Sequence, residues 1–147
     1  MISLTAVRAL VRKAHAGQVD KQGRDYMTAH LEPISALLTE HGEEAEMAGL
    51  LHDILEDTEI TSDGLLEAGV PAHVVRAVES VSKRPGEDYD KLIERAASDP
   101  LGRLVKLADN AWNLDSNAAL AEVDPVKADQ LRTKYEKART RLLRGPA

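Results

Sequence analysis

Apolar residues recur every three or four positions along almost the whole chain, and nowhere alternate with polar ones as a half-buried strand requires. That periodicity points to an all-α fold, a helical bundle. Phe is absent and aromatics make up only 3% of the chain, so Leu, Val, Ile, Ala and Met must fill the core. Most of these are helix formers, which agrees with the pattern.

Start and stop signals divide the chain. Ser3 suits the N-cap of a helix over 3–16, with Leu4, Val7, Leu10, Val11 and Ala14 on one face. The stretch 17–28 holds two glycines and no apolar period, and reads as a loop. Pro33 fits the first turn of a second helix that reaches His41 and Gly42. A third covers about 43–55, and a short one 62–69. Pro71 opens a helix through Val74, Val75, Val78 and Val81. After the turn Arg84-Pro85-Gly86, another runs from about Asp88 to Ala97. Asp99-Pro100 and Asp124-Pro125 each read as an N-cap followed by the first helical residue. They start helices expected to end near Leu114 and Leu143. The tail Gly145-Pro146-Ala147 reads as frayed. A length of 147 residues fits one domain over 1–147.

Charge narrows the partners. With 25 acidic and 19 basic side chains the formal charge is -6. Sequence-independent binding of a nucleic-acid polymer depends on neutralising phosphates, so an acidic chain argues against it. A small phosphorylated substrate remains compatible if cations gather locally. The absence of cysteine excludes disulfides and thiolate metal sites. No apolar run is long enough to span a bilayer, and the N-terminus is charged and amphipathic, unlike a signal peptide. A cytoplasmic protein without a membrane partner is expected, and the sequence carries no signal of oligomeric state.

The chemistry concentrates in Leu50-Leu51-His52-Asp53-Ile54-Leu55-Glu56-Asp57-Thr58. On one continuous helix, with His52 at zero, Asp53 falls near about 100°, Glu56 near about 40° and Asp57 near about 140°. Met47, Leu51, Ile54 and Leu55 take the opposite arc. An imidazole beside three carboxylates at a helix C-terminus opposes the macrodipole unless a cation meets it. A divalent first-row metal satisfies such donors. A second polar strip, Arg103, Lys106, Asp109 and Asn113, shares one side of a later helix. Alone it reads as a wet face on which Lys106 pairs with Asp109 or Asn110.

His30, the pair His52-Asp53 and Asp109 resemble, in order and spacing, the metal ligands of the HD-domain phosphohydrolases. Three blocks narrow the likeness: AHAGQVDKQGRDYMTAH (14–30), GLLHDILEDT (49–58) and LVKLADNAWNL (104–114). They resemble the hydrolase domain of RelA/SpoT proteins and the single-domain small alarmone hydrolases, over about residues 4–116.

The resemblance implies an HD-type bundle around one divalent ion, most often Mn²⁺, held by His30, His52, Asp53 and Asp109. Glu56 and Asp57 match the acidic pair that orients or deprotonates the attacking water. Lys21 and Asn113 match substrate-contacting positions, and Ser116 stands where the family often has Thr. The family substrate is guanosine tetra- or pentaphosphate, cleaved at its 3′-pyrophosphate. Several positions depart from the pattern. Leu31 replaces the Pro that usually follows the first ligand, Asp25 replaces a common Pro, and one residue is inserted between Gly23 and His30. Asp20 and Asp115 stand where Arg is frequent, placing negative charge near the expected nucleotide. Two other readings therefore compete: an HD phosphohydrolase for a different nucleotide or phosphate ester, and a non-catalytic helical binding module. Of the other histidines, His15 is expected in the core or just behind the site, His41 at a helix end and His73 on the surface. Lys83-Arg84 read as a solvated turn.

Overall fold

Nine α-helices carry the regular structure of residues 1–145, the part described by the computed structural model. They are α1 (Leu4–Ala14), α2 (Glu32–Ala36), α3 (Glu43–Leu51), α4 (Ile54–Asp57), α5 (Ser62–Glu67), α6 (Ala72–Val81), α7 (Tyr89–Ser98), α8 (Pro100–Val123) and α9 (Pro125–Arg144). A π-helical turn, Met27–Leu31, runs into α2, and a 3₁₀ turn, Thr39–His41, precedes α3. Among the described residues the extended pairing is one isolated bridge, Val19 with Asp25, inside the first loop. The all-α bundle read from the periodicity is what forms. Pro146 and Ala147, expected to be frayed, lie outside the described residues.

The helix starts follow local chemistry. Ser3 accepts from the Ala6 N–H, Asp88 from Lys91, Asp99 from Leu101 and Gly102, and Asp124 from Lys127. Each such cap contributes about 1 kcal/mol by satisfying an otherwise orphaned donor. Pro100 and Pro125 occupy first-turn positions, where a missing N–H costs nothing.

α3 forms the centre and packs against α1, α2, α6 and α8. It buries Ala45, Met47, Ala48, Gly49, Leu50 and Leu51. Gly49 permits the close approach of α2: a Cβ there would lie 2.8 Å from Leu38 Cδ1 and 3.2 Å from Ser35 Cα. The Ser35 hydroxyl donates to the Glu46 carbonyl at 3.0 Å across the same contact.

Four boundaries differ from expectation. The loop expected over 17–28 gives way to helical structure at Tyr26, so Pro33 lies beyond the first helical turn. The second helix splits into α2 and the 3₁₀ turn. The third stops at Leu51 instead of continuing to 55. α8 runs on past Leu114 to Val123. Ser116–Val123 has no strong apolar period, but it is rich in alanine and free of Gly and Pro. α9 packs back along it, and Asn117 Nδ2 donates to the Ala128 carbonyl at 2.7 Å. No helix among the described residues is long and apolar enough to cross a membrane.

Candidate metal centre

The break between α3 and α4 builds the first half of the site. His52 Nδ1 donates to the Gly49 carbonyl at 2.6 Å, the acceptor a continued helix would offer to the Asp53 N–H. A carbonyl only accepts, so Nδ1 carries the proton and Nε2 keeps its lone pair for the site. His52 is 4% exposed, which locks the ring. Asp53 follows at φ -102° and ψ 0°, and α4 restarts at Ile54. The continuous helix expected to carry His52, Asp53, Glu56 and Asp57 is corrected accordingly, since it breaks at His52-Asp53. His52 and Asp53 turn toward His30 and Asp109. Glu56 Oε1 instead accepts from the Lys83 N–H, and Asp57 Oδ2 from Gln18 Nε2 at 3.0 Å.

His30 comes from the π-helical turn. The Glu32 N–H reaches back five residues to the Met27 carbonyl, so the turn holds one residue more than an α-turn would. Met27 and Leu31, at the two ends of the turn, are buried. Asp25 starts the turn by accepting from the Thr28 N–H at 3.1 Å. Asp109 arrives from the middle of α8 and is buried. Lys106, one turn earlier, donates to its Oδ2 at 3.1 Å.

Four donor atoms converge. His30 Nε2 lies 3.2 Å from His52 Nε2, 3.4 Å from Asp53 Oδ2 and 3.4 Å from Asp109 Oδ1. His52 Nε2 lies 3.2 Å from Asp53 Oδ2 and 3.7 Å from Asp109 Oδ1. The atoms of His30, His52 and Asp109 all fall within 4.8 Å of one another. Neighbouring donors bound to one first-row ion at about 2.1 Å sit roughly 3.0–3.4 Å apart, close to the separations among His30, His52 and Asp109, while Asp53 reaches the two imidazoles from beside that cluster. Two facing imidazole nitrogens at 3.2 Å also demand a proton or a cation between them. The His/His/Asp cluster is thus a candidate divalent-metal site.

Charges are matched throughout. Burial opposes protonation of His30 and His52, but the Asp53 and Asp109 carboxylates outweigh it and raise both pKa values in the metal-free chain. Burial pushes Asp53 and Asp109 up. His52, His30 and, for Asp109, Lys106 hold both well below the ordinary carboxylate range. Burial works against charged Lys106, yet the neighbouring Asp109 keeps its pKa raised. Glu56 is raised, first by desolvation and then by the Asp53 charge, against the Lys83 N–H.

Lys21, Asn113 and Ser116 all line two cavities, the first of which opens beside His30. The first, of about 320 Å³, also has Arg24, Tyr26 and Trp112 in its wall. The other, of about 530 Å³, adds Leu120, Leu131 and Tyr135. Asp20 does not present a bare charge there. Its carboxylate accepts from the Gln22 and Arg24 N–H groups at 2.9 Å and pairs with the Arg24 guanidinium at 2.8 Å. The Arg24 N–H leads the effects that lower the pKa of Asp20. Asp115 is exposed and lines neither cavity.

Sequence reasoning passed over Tyr26. Its hydroxyl donates to Asp53 Oδ2, and its ring stacks on His30 with centroids 4.9 Å apart. Its place in the block ending at His30 was the available signal. His15 is buried and joins the site indirectly: Nδ1 meets Gln18 Oε1 at 2.7 Å, and Gln18 in turn holds Asp57. His41 ends the 3₁₀ turn beside Glu40, and His73 is exposed and paired with Glu44.

No protein-family model matches the chain. It is 33% identical over 123 residues to a guanosine-3′,5′-bis(diphosphate) 3′-pyrophosphohydrolase of Haemophilus influenzae, covering 76% of this chain and 18% of that protein. It is 35% identical over 116 residues to a GTP pyrophosphokinase of Myxococcus xanthus, covering 69% and 15%. The chain therefore spans less than a fifth of these relatives. A solved structure of a metazoan ortholog of SpoT, described as hydrolysing ppGpp, superimposes with a TM-score of 0.80 at 24% identity, over 98% of this chain and 87% of that one. That likeness concerns the fold. The sequence likeness to RelA/SpoT-type proteins and the His30, His52 and Asp109 cluster together link the chain to the HD-domain hydrolases.

Proposed function

We propose that the chain is a metal-dependent phosphohydrolase of a phosphorylated nucleotide, acting on guanosine 3′,5′-bis(diphosphate) to release its 3′-pyrophosphate and leave GDP. The observation that carries this reading is the convergence of His30, His52, Asp53 and Asp109 from three separate segments. The named activity of the Haemophilus relative supports the substrate. The internal neutralisation of Asp20 by Arg24 removes one objection to it.

His30, His52, Asp53 and Asp109 would hold the ion, with Mn²⁺ the family's usual choice. When bound, a divalent ion supplies a lowered water pKa and a polarised phosphoryl oxygen. The chain's own groups do the rest. The Tyr26 hydroxyl fixes the Asp53 carboxylate. Glu56, whose raised pKa makes it a better proton acceptor, takes the proton of the attacking water. Asp57, held by Gln18, orients that water. Lys21, Asn113 and Ser116 line the space for the nucleotide.

The test is a panel of nucleotides, including guanosine tetraphosphate, incubated with the purified Mn²⁺-loaded chain and analysed for products. GDP and pyrophosphate from guanosine tetraphosphate are expected. Turnover of a different nucleotide alone would move the substrate assignment, and no turnover of any would favour the binding module.

A further inference from the structure

A chain of net charge -6 brings four lysines from four segments near enough for three of them to act on the charge of the fourth. Lys21 comes from the first loop, Lys83 from the segment after α6, Lys106 from α8 and Lys134 from α9. Lys106 is committed to Asp109. The ammonium groups of Lys21, Lys83 and Lys134 form no ion pair with a carboxylate among the described residues.

Lys134 occupies the middle of this group. Its Nζ sits 4.1 Å from the centroid of the Tyr89 ring, and Lys106 Nζ lies 5.9 Å from the same centroid. Tyr89 thus links Lys134 to Lys106, and Lys106 to the Asp109 carboxylate of the metal centre. The Lys83 backbone N–H holds Glu56. The segment that carries it is pinned by Arg95, which donates to the Ser82 carbonyl at 2.6 Å and to both oxygens of Glu87 at 2.7 and 2.8 Å. Lys21 lines the cavity beside His30. Partial desolvation, followed by the charges of Lys106, Lys83 and Lys21, lowers the pKa of Lys134.

Like charges held together on an acidic protein destabilise it unless an anion completes the cluster. The Tyr89 face gives the Lys134 ammonium a resting place that a stronger anionic partner can replace. We propose that Lys134, facing Lys106 across the Tyr89 ring, forms an anion subsite near the metal centre, which grips a diphosphate group of the ligand and sets the preference for ligands that carry one. This deepens the hydrolase reading and rests on it for the position of the reacting group. A diphosphate could reach the subsite from two sources: free pyrophosphate, or the diphosphate of a nucleotide.

The test is calorimetric titration of the Mn²⁺-loaded chain, at fixed free Mn²⁺, with inorganic pyrophosphate and separately with GDP. Lys134→Met should weaken at least one of them about 10- to 100-fold, the range expected for a lost charge-assisted contact. Lys134→Arg should retain affinity within a few-fold. Lys137→Met, which removes an exposed lysine on the same helix that pairs with Asp90, should leave it unchanged. Weakening with pyrophosphate alone assigns the subsite to the free diphosphate, and weakening with GDP assigns it to the nucleotide's own. Equal effects of Lys134→Met and Lys137→Met would overturn the subsite, as would failure of the unaltered chain to bind either ligand. Turnover measured in parallel separates the two ideas. Hydrolysis with undiminished diphosphate binding in Lys134→Met sinks the subsite alone, whereas lost binding without any hydrolysis in the unaltered chain sinks the hydrolase alone.

Discussion

The α3–α4 junction and the far half of the α8–α9 hairpin are held in different ways. α3 buries six of its nine residues, and its Gly49 and His52 are locked by a close helix contact and a backbone hydrogen bond. α8 buries nothing beyond Asn110, and α9 buries only Ala128, Ala138 and Leu142 along 20 residues. The metal donors are therefore positioned by packing. The side proposed to take the nucleotide is formed by a long, mostly exposed arm, where side chains can change at little cost to the fold. Stability and ion binding should reside at the junction, and ligand choice along the arm.

The largest expected effect is at the junction. Asp53→Ala should abolish metal binding and turnover together, since it removes a donor 3.2 and 3.4 Å from the two imidazole nitrogens. Calorimetry with Mn²⁺ and an activity assay check both. Glu56→Gln should spare metal binding and reduce turnover by roughly 10²–10⁴-fold. A full rate would remove Glu56 from the mechanism.

Next comes a paired measurement of stability. Leu51→Ala, at a fully buried position beside the site, should cost about 2–5 kcal/mol in urea unfolding. Leu143→Ala near the end of the arm, where the side chain is 59% exposed, should stay within about 0.5 kcal/mol. Equal costs would erase the distinction between the two regions.

The smallest effect is a pH trend. In the metal-free chain the pKa values of His30 and His52 are raised above the ordinary 6.5. Their pairing with carboxylates stabilises the fold fully below that pH and is lost as pH rises through the raised values. Seen from Asp53 and Asp109, whose pKa values are depressed below 3.8, the same pairing is present above that pH and lost as pH falls through the depressed values. Metal-free chain should thus melt at a lower temperature at pH 8.5 than at pH 6. Mn²⁺ should cancel the decline, because it binds the deprotonated imidazoles.

Much of the fold was legible because its signals are local. Ser3, Asp88, Asp99 and Asp124 mark their helix starts directly, and the apolar spacing marks the core faces. The break at His52-Asp53 was not, because it depends on a side chain capturing the Gly49 carbonyl, which no periodicity reveals. The end of α8 was missed because Ser116–Val123 is held by alanine propensity and by α9, not by an apolar stripe. The approach of His30 and Asp109 to the His52-Asp53 pair was expected only through family resemblance, since spacing along a chain does not place separate helices together. Tyr26 and Lys134 went unremarked because each acts through a tertiary contact, one with Asp53 and one with Tyr89.

The most direct test of the metal centre is anomalous diffraction from crystals soaked in Mn²⁺. A peak bounded by His30 Nε2, His52 Nε2, Asp53 Oδ2 and Asp109 Oδ1 is expected. A well-occupied Mn²⁺ elsewhere, with these four groups joined only by their own hydrogen bonds, would contradict it.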